Sequence, residues 1–303
     1  MKKLLCIDGN SILNRSFYGI RLLTTKDGFP TNALYGLVNV ISRELEALKP
    51  DYAAIAYDLK APTFRHKMYD GYKAGRKPMP DDLAAQMPVL KDVLRLMNIC
   101  ICEKAGYEAD DIIGTLSYEA DKTGDYETYI LSSDLDMLQI VDDNTHMWRI
   151  LKGFTNIEQI DVPELEAKYG IKKSQFLDLK ALKGDSSDNI PGVPGIGEKT
   201  AAKLLNDYGD IDGIYDNLDK ISGSVHAKLE AGKDSAYMSK TLAEIMFDAP
   251  IELSDIPEFY FNHDRIISGL KKLEFNSLIR KFSSSKEEIN KTVSHEHHDS
   301  SET

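Results

Sequence analysis

The sequence predicts an α/β protein: a mostly parallel central sheet flanked by helices, followed by a helical C-terminal region. Two observations carry the sheet. Apolar runs of strand length recur at Leu4–Ile7, Tyr52–Tyr57, Asn98–Glu103 and Glu127–Leu131, with helix-period segments between them. Three of these runs are followed by acids, two directly and the third after Ser132-Ser133, as if each strand delivered carboxylate to one edge of a sheet. A third observation marks the change of class: past residue 175 helical segments broken at Gly209, Gly213, Gly223 and Gly232 take over.

In order, Leu4–Ile7 reads as a buried strand closed by Asp8-Gly9-Asn10. Ser11 to Tyr18 and Ala33 to Leu48 have helical spacing, the second stopping before Lys49-Pro50. YAAIAY, the second strand, meets Asp58. The stretch 61–87 holds Pro62, Pro78 and Pro80, lacks a strong apolar period and carries Arg65, Lys67, Lys73, Arg76 and Lys77, with Tyr69 and Tyr72 among them. It is expected to be an exposed loop or arch, and cations interleaved with aromatics suit single-stranded nucleic acid. Asn98–Glu103 is the third strand, and GYEADDIIGTLSYEA opens a helix with Glu108, Asp110 and Asp111 in its first turn. Acids there favour the helix dipole, yet Glu108 and Asp111 at i, i+3 repel unless a cation lies between them. After Glu127–Leu131 come Ser132-Ser133, then Asp134 and Asp136. One Asp after a strand is only a good turn residue; three such strands argue for a shared site.

The stretch KGDSSDNIPGVPGIGEKTAAKLL, Lys183 to Leu205, joins two chemistries. Asp185 and Asp188 lie in a polar turn with no basic residue between them, which suits a cation. Gly192, Gly195 and Gly197 let the backbone turn tightly, and a helix opening near Glu198 offers unpaired N–H groups to an anion, with Lys199 and Lys203 on one helix face. In GLKKLEFNSLIRKF, Leu270, Leu273, Leu278 and Phe282 fall on the inward side. From Ser283 on the chain is polar and aperiodic, a disordered tail whose His295, His297 and His298 fit no defined site.

Composition bounds the function. The 303 residues are 42% hydrophobic and 28% charged, ordinary for a soluble globular protein. Leu4–Ile7 is too short for a signal-peptide core and no run has membrane-spanning length, so a cytoplasmic protein is expected. Three cysteines without zinc-type spacing give no disulfide framework; Cys100 and Cys102 read as strand residues. The net charge of −12 argues against phosphate binding until its distribution is considered. Nine of the acids named above would surround cations, and without them the sum is −3. The segment Leu59 to Met79 is locally basic, with Lys60, Arg65, Lys67, Lys73, Arg76 and Lys77 against Asp70 alone.

The pieces IDGNS, AYDLKAPTFRHKMYDGYKAGR, GYEADDIIG, SSDLD and LKGDSSDNIPGVPGIGEKTAAKLL, in that order, resemble the flap endonuclease family. Within it they are most similar to the 5′ nuclease domain of bacterial DNA polymerase I, over Lys3 to Phe282. The resemblance implies a PIN-like catalytic α/β domain at 1–175 with a helical arch at 61–87, a helix–hairpin–helix DNA-binding region at 176–282 and a tail at 283–303. It implies a structure-selective 5′-3′ exonuclease and flap endonuclease acting on 5′-flapped, nicked or 5′-ended duplex DNA, and on RNA-primed DNA, in replication and repair. By position, Asp8, Asp58, Glu108, Asp110 and Asp111 would hold one Mg²⁺ or Mn²⁺, and Asp134, Asp136, Asp185 and Asp188 the other. Lys73 and Arg76 would join Asp8, Asp58, Glu108 and Asp110 in catalysis. Arg65, Tyr72, Lys73, Arg76, Lys77, Gly192, Gly195, Ile196, Gly197, Lys199 and Lys203 would contact DNA, with a monovalent cation such as K⁺ at the hairpin. A monomer in the bacterial cytoplasm, associated with the nucleoid and linked functionally to a polymerase and a ligase, is the matching expectation.

Leu135 departs from the family pattern, where a basic residue often separates the two acids. Polymerases of this type continue past the position of Phe282, so either a stand-alone nuclease or a fragment of a longer protein is expected. Two other readings remain open on sequence alone: a ribonuclease of similar fold, and a module that binds branched DNA without cutting it. Structural Ca²⁺ among the acids is a third.

Overall fold

The computed structural model describes residues 1–151, 156–280, 282 and 283; the expected tail lies outside the described residues apart from Ser283. Six strands form one sheet: β1 (Lys2–Asp8), β2 (Tyr52–Ala56), β3 (Cys100–Cys102), β4 (Tyr126–Ser132), β5 (Thr145–Ile150) and β6 (Ile157–Ile160), in the order β3-β2-β1-β4-β5-β6. All neighbours pair parallel except β5 with β6. The helices are α1 (Gly9–Gly19), α2 (Asn32–Leu48), α3 (Phe64–Met68), α4 (Asp81–Leu96), α5 (Ala109–Thr123), α6 (Val162–Tyr169), α7 (Phe176–Lys183), α8 (Glu198–Tyr208), α9 (Ile211–Asp216), α10 (Gly223–Ala231), α11 (Lys233–Ala243) and α12 (His263–Lys272).

β1 is an unbroken apolar run because both of its faces are covered. Leu4 and Cys6, with Ala54, Ala56 and Ile130, join Ile112, Ile113 and Leu116 of α5 and Leu179 and Leu182 of α7 in one core. Leu5 and Ile7, with Ala53, Ile55 and Leu131, meet Leu34, Leu37 and Ile41 of α2 and Leu90 and Leu94 of α4 in the other. The alternation is the two-residue period of a strand, and β1 to β4 therefore point their carboxyl ends to one side. Asp8, opposite Ala56 in the register, is the last residue of β1.

Several elements differ from expectation. β5 and β6 carry no apolar run: THMWRI sets His146, Trp148 and Arg149 at half-buried positions near the sheet's edge. The irregular stretch expected over 61–87 is interrupted by α3 and yields to α4 at Asp81. Leu83 and Gln86 there are fully buried, and Gln86 accepts from the Leu34 N–H at 3.1 Å and donates to Asn32 at 3.2 Å. Pro88 sits inside α4 and masks the helix in the sequence. Cys102 is buried and Cys100 half-buried in β3, both free.

The C-terminal region is helical, and α7 packs along α8 and α11. Its last stretch returns to the N-terminal half. The Phe259 N–H donates to the Asp51 carbonyl at 2.7 Å, α12 lies on α4, and Leu270, Leu273, Leu278 and Phe282 are buried in the α2–α4 core. Packing therefore does not follow a division at residue 175 for this segment. No helix among the described residues is long and apolar enough to cross a membrane.

Candidate active site

A cleft of about 1350 Å³ opens at the carboxyl ends of β1 to β4. Asp8, Asp58, Glu108, Asp110, Asp134, Asp136 and Asp185 border it. Asp8 is also the N-cap of α1, accepting from the Ser11 N–H at 3.0 Å, while its other oxygen accepts from Ser132 Oγ at 2.7 Å. Asp58, just past β2, accepts from the Ala109 N–H at 2.7 Å, which fixes the start of α5 beside the strand. Glu108 caps α5 and Asp110 follows in its first turn. Asp134 accepts from the Asp136 N–H at 2.9 Å, holding both acids in the tight turn after β4. Asp185 is fixed by the Ser187 N–H and hydroxyl at 2.8 and 2.7 Å.

So many carboxyls in one place cannot all hold charge cheaply. Burial, aided by the charges of Asp134 and Asp58, pushes Asp8 up to about 7 against its hydrogen bonds from Ser11 and Ser132. Burial and the neighbouring Asp8 and Asp134 raise Asp110 well above the carboxylate range. Burial lifts Asp136 to about 6 against the pull of Lys180. For Asp185 burial acts in the same direction but is outweighed by Lys180 and Ser187, leaving it at about 2.

Three cations sit directly on these acids. Lys73 Nζ donates to Glu108 at 2.7 Å and lies 3.8 Å from Asp188. Arg76 pairs with Asp188, and Lys180 of α7, its side chain only 4% exposed, bridges Asp136 and Asp185, the latter at 2.8 Å. Lys180 is a site residue that sequence reasoning missed. Its signal was a lysine in the inward phase of an apolar helix, between Leu179 and Leu182. Ser132 was missed too: it links Asp8, to which it donates at 2.7 Å, to the Asp134 N–H, from which it accepts at 2.9 Å.

Other expected site residues are not brought to the cleft. Asp111 is fully buried, and each of its oxygens accepts from Arg65 at 2.8 Å. The cation that relieves the i, i+3 repulsion is therefore Arg65, which also lies 3.8 Å from Glu108. A ligand role for Asp111 and a DNA contact for Arg65 are replaced by a buried ion pair. Tyr72 is 4% exposed and donates to Glu108 at 3.0 Å, so its ring is not open for stacking on a base. Asp188 is 9% exposed and lies behind Lys73 and Arg76 rather than on the cleft wall.

The hairpin after α7 divides in the same way. Gly192 has φ +61°, its N–H donates to Ser239 Oγ at 2.9 Å, and a Cβ there would overlap the Gly184 backbone. Ile196 is buried, with its N–H on the Val193 carbonyl at 3.0 Å. These two shape the turn and present nothing to a ligand. Gly195, Gly197 and Lys199 are exposed, Gly197 bordering the cleft at the start of α8. Lys203 is exposed and pairs with Asp207 at 2.5 Å; Lys77 is exposed on the cleft rim.

The donor set fits hard divalent cations, which take carboxylate oxygens and keep several waters. Among the described residues no three His, Cys, Asp or Glu side chains converge tightly enough to ligate an ion as they stand. Lys73 and Lys180 occupy oxygens of Glu108, Asp136 and Asp185, three of the acids that border the cleft.

An acid-lined cleft at the carboxyl edge of a parallel sheet, flanked by basic side chains and a glycine hairpin, defines the class of metal-dependent nucleases acting on phosphodiesters. Two family descriptions match in tandem: "5′-3′ exonuclease, N-terminal resolvase-like domain" over residues 3–170, and "5′-3′ exonuclease, C-terminal SAM fold" over 171–263. The chain belongs to the 5′-3′ exonuclease family and is a nuclease. It is 47% identical over 283 residues to DNA polymerase I of Caldicellulosiruptor bescii and 43% identical to that of Bacillus subtilis, in each case over 92% of this chain. It spans about a third of the length of these relatives. A bacteriophage T5 flap endonuclease, solved as a pseudo-enzyme-product complex with DNA and metal ions, superposes with a TM-score of 0.66 at 18% identity, over 95% of this chain and 99% of its own, and so shares the fold.

Proposed function

We propose that the chain is a structure-selective 5′ nuclease that hydrolyses phosphodiesters at 5′ flaps, nicks and 5′ ends of duplex DNA with two divalent ions. The observation that carries this reading is the meeting of seven carboxylates with Lys73, Arg76 and the start of the hairpin helix around one cleft. Asp8, Asp58, Glu108 and Asp110 would hold one Mg²⁺ or Mn²⁺, and Asp134, Asp136 and Asp185 the other. When bound, such ions supply water activation and Lewis-acid stabilisation of the leaving oxygen. Lys73 and Arg76 offset charge on the scissile phosphate once released from Glu108 and Asp188. Gly195, Gly197 and the first N–H groups of α8 grip the duplex backbone, with Lys199 beside them. Asp188 positions Lys73 and Arg76, and Arg65–Asp111 braces the base of the arch.

Backbone recognition by shape extends the reading to RNA-primed DNA. Lys228 Nζ donates to the Gly195 carbonyl at 3.2 Å, so a hairpin K⁺ would share that carbonyl with an ammonium. We further propose a monomer working in the bacterial cytoplasm at the nucleoid, before a polymerase and a ligase that fill and seal the gap it leaves.

The test is cleavage of a nicked duplex with a 5′ flap, labelled at both ends, with Mg²⁺ and with EDTA, by wild type and Asp185→Asn. Metal-dependent cuts near the branch, ending in 5′-phosphate and lost in the variant, are expected. Tight binding without cutting in any metal would instead mean a branched-DNA binding module, and faster cleavage of single-stranded RNA a ribonuclease.

A further inference from the structure

Lys180 is the most buried of the cations that line the cleft among the described residues, its side chain 4% exposed. Its stem leaves α7 between Leu179 and Leu182, both buried, and its ammonium reaches Asp136 Oδ1 and Asp185 Oδ2 together. Asp136 comes from the turn after β4 and Asp185 from the loop after α7, so these elements meet through the ammonium. The remaining oxygen of Asp185 is held by Ser187, so the Asp185 oxygen that meets the ammonium and the Asp136 oxygen opposite it face one place, which the ammonium fills. An ion joining Asp136 to Asp185 must take that place.

We propose that Lys180 is a tethered, displaceable cation of the second ion's pocket. With no metal bound it neutralises Asp136 and Asp185 and holds the pocket together. It must give up those oxygens when a divalent ion enters, and its charge, kept within the cleft by the short tether, weakens that ion's binding. A lysine side chain suits this use: a compact charge on a flexible four-carbon stem, able to swing without moving α7. The displaced ammonium stays on the wall of the cleft that Lys180 lines, where a phosphate in the cleft would face it. A bound phosphate then gives it a new partner, so the second ion binds more tightly with DNA than without.

This inference rests on the two-ion reading above, and binding of Mn²⁺ alone, without DNA, separates the two. The full chain and Lys180→Met are titrated calorimetrically, with free Mn²⁺ counted by electron paramagnetic resonance. The weaker of two Mn²⁺ events is expected to tighten about tenfold in Lys180→Met, the order set by a unit charge several Å from a divalent ion under water-like screening. The stronger event should move less than about twofold. Unchanged or weaker second-ion binding in the variant, with two ions in wild type, would overturn the proposal and leave the nuclease reading standing. A wild type that binds fewer than two ions would overturn both. Should Lys180→Met not fold, wild type labelled with ¹³C at lysine Cε answers the question. One buried lysine signal, assigned by its loss in Lys180→Arg, should shift with Mg²⁺ in step with the second event; a signal unmoved through saturation would show a permanent brace.

Discussion

Replacing Asp111 by alanine distinguishes a buried brace from a metal ligand. Asp111 is fully buried and accepts four hydrogen bonds: two from Arg65 at 2.8 Å, one from the Glu108 N–H at 3.0 Å and one from the Met246 N–H at 2.9 Å. Removing the carboxylate strands a guanidinium whose side chain is 4% exposed, and leaves two N–H groups without acceptors. Breaking a buried pair from one side costs about 3–5 kcal/mol, and each orphaned N–H about 1–3 kcal/mol. These overlap, since Arg65 keeps the carbonyls of Leu242 and Glu244. A loss of about 4 kcal/mol is expected from urea unfolding at neutral pH in EDTA, where no metal contributes. Arg65→Met combined with Asp111→Leu should recover much of it, because no buried charge is then unpaired. A metal ligand behaves oppositely: its removal relieves repulsion in EDTA and shows its deficit only in Mg²⁺. Stability in EDTA that is unchanged or raised for Asp111→Ala would refute the brace.

The remaining expectations concern pH, the hairpin and the arch. Asp8 near 7, Asp136 near 6 and the raised Asp110 keep protons in the folded chain that the unfolded chain releases near 3.8. Their contribution is complete below that lower value and is lost as pH rises through the folded ones; the depressed Asp185 contributes fully above about 3.8 and loses that contribution only as pH falls toward about 2. The melting temperature in EDTA should therefore fall between about pH 5 and 8, and saturating Mg²⁺ should abolish the slope; a rise in EDTA would contradict the assignment. Gly192→Ala should cost at least about 2 kcal/mol, through positive φ and overlap with Gly184, and weaken duplex binding. Gly197→Ala, with nothing within 4 Å of the new Cβ, should melt like wild type. Lys73→Ala should lower kcat about a hundredfold with a smaller change in KM; a loss of DNA affinity with an unchanged single-turnover rate at saturation would assign it to binding alone.

The parts of the molecule visible in its sequence are those where local pattern and tertiary role coincide. β1 and β2 are apolar throughout because both sheet faces are covered, and the acids at their ends stand where the polypeptide must turn anyway. Leu270, Leu273, Leu278 and Phe282 were readable from period alone. β5 was not: its side chains meet solvent and core in turn along a sheet flank, and no run forms. Inside the site, residue type showed which groups could carry charge but not which charge each would face. Asp110 and Asp111 are adjacent and alike in sequence, yet a helix turns successive residues about 100° apart, sending one to the cleft and the other to Arg65. Tyr72 beside Lys73 looked like a stacking platform, but its hydroxyl is committed to Glu108.

The charge balance of the cleft explains why the arch and the metal site have to be read together. Eight acids border the cleft, and Lys73, Lys180 and Lys183 pair with Glu108, with Asp136 and Asp185, and with Glu198, while Arg76 pairs with Asp188 behind the wall. With no metal, Lys73 and Arg76 are worth more to Glu108 and Asp188 than to a phosphate, because a buried carboxylate without a partner is costly. On the two-ion reading proposed above, an ion that takes Glu108 would remove that acid's hold on Lys73. On the same reading, Lys73 would then become available to a phosphate as the cleft turns from repelling a polyanion to accepting one. On that reading, filling the ion sites and freeing Lys73 would be one electrostatic event, and a polyanion arriving before the ions would meet both an acidic cleft and a lysine whose charge is already paired with Glu108.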